Sequence, residues 1–172
     1  MDVMQLVAET LQEIDSDLET ALDGLTTEEV EWRPSDEANS IGFTLWHLIR
    51  AEDHWVSGFA QGLPDVFQRG GWDCRWDMVD AGTGWGYGKD ELGAFATPPM
   101  KELWQYGRDV RGQTLEYMAG LRAEQFLETP PSANPWQQEY TIGRMFGHIL
   151  CELSQHLGHI RYLRGLQRGI DG

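Results

Sequence analysis

The sequence predicts an all-α protein built as a bundle of four main helices. Four segments carry apolar residues at alternating spacings of three and four, which is the period of an amphipathic helix. We expect these helices near residues 2–24, 40–61, 99–121 and 140–168. A chain of 172 residues is the size of one domain with a sizeable core, so residues 1–172 are assigned to a single domain.

The first predicted helix carries an apolar stripe and no residue that suggests chemistry. Its apolar residues recur from Val3 to Leu25, and Asp and Glu fill many of the positions between them. Gly24 marks the expected end, because glycine readily takes the backbone conformation found just after a helix. The second helix then follows an N-cap signal, Asn39-Ser40.

Two histidines lie on one face of the second predicted helix. His47 stands within an apolar run, and His54 follows seven residues later, with the small residues Ala51 and Gly58 on the same face. These small residues would leave space for a substrate or a bound water. A lone histidine on an apolar face is more often a hydrogen-bonded core residue than a ligand, so the pattern alone leaves both roles open.

A long connection rich in glycine and aromatic residues links the second and third helices. It spans residues 63–98, and we expect a short helix near residues 73–79 with irregular structure elsewhere. Such a connection is typical of a lid over a binding site, or of a loop fixed to the bundle by its aromatic side chains. A phosphate-binding loop is excluded, because Gly88-Lys89 is followed by Asp90 rather than by Ser or Thr.

The third predicted helix begins at Pro98-Pro99, where missing N–H groups cost least. It carries an apolar face, and glycines within it weaken its intrinsic helix propensity. Arg108 and Arg111 are the basic residues near its middle. A substrate-facing role is the alternative for both, and we expect both to face solvent.

The fourth predicted helix carries the strongest chemical signal in the chain. Glu152 and His156 lie in the centre of its apolar stripe and are four residues apart, so their side chains are neighbours. A buried carboxylate without a partner is costly, and a bound cation would remove that cost. The pair therefore suggests two metal ligands, although a pair hydrogen-bonded to a neighbouring helix would give the same pattern. The best candidate for a third ligand is His47.

Short motifs from the second and fourth helices occur in a fixed order along the chain. They are Ser40-Ile41-Gly42 ahead of Leu45-Trp46-His47-Leu48, then Glu152-x-x-x-His156-x-Gly158-His159-Ile160 and Leu163-Arg164-Gly165. In order and separation these motifs resemble the DinB-like superfamily, the DinB/YfiT group of metalloproteins. Its members include the mycothiol-dependent maleylpyruvate isomerases and the helical domain of the ergothioneine-forming sulfoxide synthases.

The resemblance implies a four-helix bundle with a three-ligand metal site. One histidine comes from the second helix, and two ligands one turn apart come from the fourth. The isomerase branch has Glu-x-x-x-His in the fourth helix, as this chain does, so the resemblance implies that His47, Glu152 and His156 bind the metal. His159 is expected to hydrogen-bond a ligand, with replacement of Glu152 in the metal shell as the alternative. His54 and His159 are the candidates for catalytic proton transfer.

Two imidazoles and one carboxylate favour a single divalent ion, with Zn²⁺ or Ni²⁺ first and Fe²⁺ or Mn²⁺ as alternatives. Three protein ligands leave a position open, whereas structural zinc normally has four. The resemblance implies an S-transferase or isomerase that uses a low-molecular-weight thiol such as mycothiol, bacillithiol or glutathione with a small-molecule substrate. A metal-dependent hydrolase is the alternative enzyme, and a metal-binding stress or binding module is the non-catalytic alternative.

Charge and composition bound the partners and the compartment. A formal net charge of −15 argues against nucleic acid, and the chain has no run of about 18 apolar residues that would span a membrane. The acidic N-terminus is unlike a signal peptide, and Cys74 and Cys151 have no metal or redox spacing, so we expect a cytoplasmic protein. The resemblance and the high aromatic content favour a homodimer.

Overall fold

The computed structural model describes residues 2–169, and all regular structure within them is helical. In chain order the elements are α1 (Val3–Leu22), α2 (Thr27–Glu31), α3 (Ile41–Asp53), a π-helical segment (His54–Ala60), α4 (Val66–Arg69), α5 (Trp72–Arg75), α6 (Lys89–Ala94), α7 (Met100–Ala119), a 3₁₀ segment (Ala123–Leu127) and α8 (Ile142–Arg168). The all-α prediction is confirmed, and no helix in this part of the chain is long and apolar enough to cross a membrane.

The four predicted main helices correspond to α1, α3 with its π-helical extension, α7 and α8. Two side-chain caps fix where α3 and α8 begin. Ser40 Oγ accepts a hydrogen bond from the backbone N–H of Phe43 at 3.0 Å, and Thr141 Oγ1 accepts one from Arg144 at 3.2 Å. Each cap satisfies a donor that the helix itself leaves unpaired and contributes about 1 kcal/mol. They set the register of the residues that α3 and α8 bring together.

Helix α3 lies at the centre of the molecule. Nearly every residue from Ile41 to Asp53 is buried, and the helix packs against both α7 and α8, while α1 packs against α8. The apolar stripe predicted for the fourth helix is buried as a whole, at Ile142, Met145, Ile149, Leu153, Ile160 and Leu163. Full burial of one such side chain contributes about 1.5–3 kcal/mol, so this packing holds α3 and α8 in a defined relative position.

A buried ion pair joins α3 to α7. Arg111 donates to both carboxylate oxygens of Glu52 at 2.9 Å, and Thr114 Oγ1 donates to the same carboxylate at 2.7 Å. Arg111 also contacts Asp15 of α1 at 2.7 Å. The expectation that Arg111 faces solvent is therefore wrong, because the buried carboxylate of Glu52 requires a cation opposite it. Arg108 is exposed, as expected.

The connection over residues 63–98 contains α4, α5 and α6, so it holds more helix than the sequence predicted. The short helix expected near residues 73–79 begins slightly earlier, as α5. Helix α4 forms because the buried carboxylate of Asp53 accepts hydrogen bonds from the backbone N–H groups of Val66 and Phe67, at 2.8 and 2.9 Å. The acceptor for the first turn of α4 is therefore a side chain of α3, which the sequence around α4 does not reveal.

Replacing Arg111 by Met should destabilise the protein by about 3–5 kcal/mol, because it leaves the charge of Glu52 buried without a partner. Urea denaturation followed by circular dichroism measures this change. Arg108→Met is the matched control on the same helix and should stay within about 0.5 kcal/mol of the parent protein. Equal stabilities of the two variants would show that the Glu52 pair contributes nothing to folding.

Candidate metal site

His47 from α3 meets Glu152 and His156 from α8. One ligand atom from each residue lies within 4.8 Å of those from the other two. His47 is buried, and the two residues of α8 are partly buried. The structure thus brings together the three residues that the sequence singled out, from two helices more than a hundred positions apart.

Glu152 and His156 have the spacing that a small divalent cation requires, and His47 lies close to both. Glu152 Oε2 lies 3.2 Å from His156 Nε2, across one turn of α8. The rings of His47 and His156 approach edge to face, with centroids 4.9 Å apart. Two ligands of one zinc ion, each at about 2.0–2.1 Å, lie about 3.4 Å apart in tetrahedral geometry. Two imidazoles and a carboxylate at these separations therefore fit one such ion after small side-chain adjustments.

The connection between α3 and α7 sets the orientation of His47. His47 Nδ1 donates a hydrogen bond to the backbone carbonyl of Thr83 at 2.6 Å. A carbonyl oxygen can only accept, so Nδ1 carries the proton and Nε2 keeps its lone pair for a cation. This is the arrangement in which a second hydrogen bond fixes the tautomer of a metal-binding histidine.

Gly84 allows the connection to come this close to α3. Its φ is +86°, a region that glycine enters without strain. A Cβ at this position would lie 2.8 Å from Trp46 Cζ3, 3.0 Å from Phe43 Cζ and 3.3 Å from His47 Nδ1. A side chain here would therefore push the backbone of Thr83 and Gly84 away from His47.

Burial and the neighbouring imidazole of His47 favour the neutral form of His156. Burial lowers the pKa of His156 below its ordinary value, and the nearby imidazole of His47 lowers it further, while Glu152 opposes the shift. A lowered pKa means that His156 stays neutral to a lower pH than a free imidazole does. Neutral imidazole is the ligand form of histidine.

The other histidines of α8 flank this cluster. His159 Nδ1 lies 3.3 Å from His156 Nδ1, so His159 occupies the position expected for a hydrogen-bonding partner of a ligand, and it is exposed. His148 Nε2 lies 3.9 Å from Glu152 Oε1, and its ring packs on Trp55 with centroids 5.0 Å apart. The cluster of ligand atoms contains Glu152 and does not include His159, and replacement of Glu152 by His159 stays an untested alternative.

His54 lies outside the ligand cluster but in the wall of the same cavity. This cavity has a volume of about 780 Å³ and is lined by His47, Arg50, Ala51, His54, Trp55, Asp65, Gln68, Ala81, Gly82, Thr83, Trp85, Gln137, Tyr140, His148 and Glu152. A small molecule in this space would contact both the candidate ligands and His54. His54 therefore remains a candidate for contact with a substrate.

Sequence reasoning missed the buried guanidinium in the cavity wall. Arg50 Nη1 donates to Asp65 at 3.0 Å, to Tyr106 at 3.2 Å and to Asp53 at 3.3 Å, and Arg50 Nε donates to the carbonyl of Gly82 at 3.3 Å. Tyr106 in turn donates to Asp53 at 2.7 Å. Charged residues inside an otherwise apolar helical run are the signal that could have revealed this network.

Fold and cluster together define an all-helical protein with a candidate His-Glu-His metal site. The family model of the DinB superfamily matches residues 10–160, so the chain belongs to the DinB superfamily. Metal binding is frequent in this superfamily. The superfamily resemblance drawn from the sequence motifs is thereby confirmed.

One solved structure supports the fold independently. The crystal structure of a conserved protein from Enterococcus faecalis matches with a TM-score of 0.81 and 21% identity, over 96% of this chain and 97% of that one. At this identity the likeness shows the fold alone. A comparison with curated proteins found no match.

Gly84→Ala should weaken Zn²⁺ binding by about 10–100-fold, because it displaces the carbonyl that orients His47. Isothermal titration calorimetry of the metal-free protein measures the affinity. Gly82→Ala is the matched control, since a Cβ at Gly82 meets nothing within 4 Å. If both variants bind Zn²⁺ as the parent does, the connection does not position His47.

Proposed function

We propose that this DinB superfamily protein is a metal-dependent enzyme that uses a low-molecular-weight thiol, as an S-transferase or isomerase. The observation that carries the proposal is the convergence of His47, Glu152 and His156 within 4.8 Å beside a cavity of about 780 Å³. The Glu-x-x-x-His order in α8 is shared with the mycothiol-dependent maleylpyruvate isomerase branch, and this supports thiol chemistry over a non-catalytic metal-binding module.

His47, Glu152 and His156 would hold one divalent cation, with Zn²⁺ or Ni²⁺ best suited to the donor set. When bound, such a cation supplies Lewis acidity that lowers the pKa of a thiol placed against it. Glu152 contributes a negative charge, and His47 presents Nε2 because Thr83 holds its other nitrogen. Three protein ligands leave room for one group from outside the chain.

The cavity wall would bind and shield the reacting molecules. Trp55 and Tyr140 form an aromatic surface with ring centroids 5.0 Å apart, and His148 packs against both rings. Aromatic surface of this kind excludes water from the body of a bound molecule, which strengthens the polar contacts made beside it. Gln137 adds a hydrogen-bonding amide to the same wall.

The four long helices are proposed to be the DinB four-helix bundle of the superfamily, in a single domain. The expectation of a homodimer stays a prediction. Light scattering tests it, and a concentration-independent mass near the 19.6 kDa of one chain would contradict it.

Metal binding should stabilise the native protein, because only the fold brings the three ligands together. Free Zn²⁺ at about a hundred times its dissociation constant should add about 2.7 kcal/mol, which raises the melting temperature by about 5–10 °C. His47→Ala and His156→Ala should each remove most of this shift, whereas His54→Ala should leave it intact. Differential scanning calorimetry with metal analysis of the purified protein measures both properties. A full shift in both ligand variants would refute the assigned site.

Acid should abolish the stabilisation by Zn²⁺. Protons compete with the metal for the imidazoles, so the shift is present at neutral pH and lost as the pH falls. The lowered pKa of His156 moves its own proton competition to a lower pH than that of a free imidazole. Repeating the calorimetry between pH 8 and pH 4 should show the shift shrinking on the acid side, and a pH-independent shift would contradict imidazole ligation.

The proposed chemistry is tested with a panel of thiols and a generic electrophile such as a chlorinated dinitrobenzene. Thiol-dependent turnover that requires the metal and disappears in Glu152→Gln is the expected result. Turnover of esters without any thiol would instead establish the hydrolase. A metal-loaded protein that turns over neither class would be the non-catalytic binding module.

A further inference from the structure

The wall of the cavity holds a second imidazole on the same helical face as His47. His54 follows His47 by seven residues, which places it about 10 Å further along the helix axis and at nearly the same angle. Both residues line the cavity that also contains Glu152. The cavity wall therefore carries polar side chains in two places, which are the candidate metal ligands and His54.

His54 lies beside a carboxylate that is itself fixed. Its Nδ1 lies 3.6 Å from Asp65 Oδ2, and the Asp65 side chain is only 10% exposed. Arg50 holds Asp65 from the other side at 3.0 Å, so the carboxylate cannot swing freely. The carboxylate lies on the Nδ1 side of the ring, which leaves Nε2 on the side away from Asp65.

Gly58 provides the clearance for this pair. A Cβ at Gly58 would lie 3.3 Å from His54 Nδ1 and 3.4 Å from Asp65 Oδ1, in the gap between the two side chains. The His54 side chain is 49% exposed, and among residues 2–169 it forms no other ion pair or hydrogen bond. An oriented imidazole with a free nitrogen in a cavity wall is a ready contact for a ligand.

We propose that His54 is a substrate-binding residue that recognises a hydroxyl or similar hydrogen-bonding group. The inference rests on the proposed thiol function and deepens it. The substrate class is an elongated thiol whose sulfur lies at His47, Glu152 and His156 and whose polar end meets His54 about 10 Å away. A hydroxyl is the best-matched group, because it donates to a neutral Nε2 and accepts from a protonated one.

The space between the ligand cluster and His54 suits a linker that is wholly or partly apolar. Trp55 is the residue directly after His54, and its ring packs with those of Tyr140 and His148 along the same wall. A chain of roughly seven methylene groups spans the separation of about 10 Å. Such a linker would lie against these rings while its ends reach the ligand cluster and His54.

The experiment uses the full chain loaded with Co²⁺, and straight-chain thiols of two to ten carbons that end in either hydroxyl or methyl. Thiol binding is followed by the sulfur-to-cobalt absorption band, which gives a dissociation constant for each thiol. For the parent protein we expect the hydroxyl thiol to bind about fivefold more tightly than the methyl thiol at six to eight carbons, which is about 1 kcal/mol, and no such preference at two carbons.

His54→Phe should abolish the hydroxyl preference and leave ethanethiol binding unchanged, because it keeps a ring and removes the ring nitrogens. Gln68→Leu is the matched control, as it removes another polar side chain from the same wall and should retain the preference. A preference that survives His54→Phe, that disappears in Gln68→Leu instead, or that is absent at every length overturns the assignment of His54. Failure of all thiols, ethanethiol included, to bind the cobalt protein overturns the thiol function itself, which is a distinguishable outcome.

Discussion

Helix α3 is buried on all sides, and the polar groups it carries must therefore be satisfied inside the protein. Glu52 takes its cation from α7 through Arg111, and Asp53 satisfies the first N–H groups of α4. His47 faces α8 and is fixed by Thr83. Each of these three residues thus determines where one neighbouring element lies, so the position of α3 governs both the connection and the candidate site.

The connection over residues 63–98 is part of the site because two α3 side chains bind its backbone. Arg50 donates to the carbonyl of Gly82, and His47 donates to that of the next residue, Thr83. The two carbonyls face helix positions one turn apart, so the connection follows the helix at this point and forms a wall of the cavity. Beyond it, Trp85 is 83% exposed, and this is the portion that still fits the interpretation as a lid.

The sequence was sufficient for the main helices and for the proximity of Glu152 and His156, because both depend on local periodicity, whereas His47 was assigned to the same cluster through the family resemblance. Glu152 and His156 can be recognised because they lie four residues apart in an apolar stripe, and this spacing makes two side chains neighbours on a single helix. The environment of Arg111 and of the connection could not be read in this way. Arg111 is buried because Glu52, 59 positions earlier, requires it, and α4 forms where Asp53 supplies acceptors from another helix. Contacts between distant segments are not visible in the hydrophobic periodicity of either segment.

The carboxylate in the ligand set has a consequence for what the site can bind. With Glu152 and two neutral imidazoles, a divalent cation would leave one net positive charge in a partly buried place. An anionic sulfur would bring that charge to zero, whereas a neutral ligand would leave it uncompensated, and uncompensated buried charge is costly. If a divalent cation occupies the site, the Glu-His pair of α8 therefore favours a single anionic ligand, which the proposed thiolate would supply.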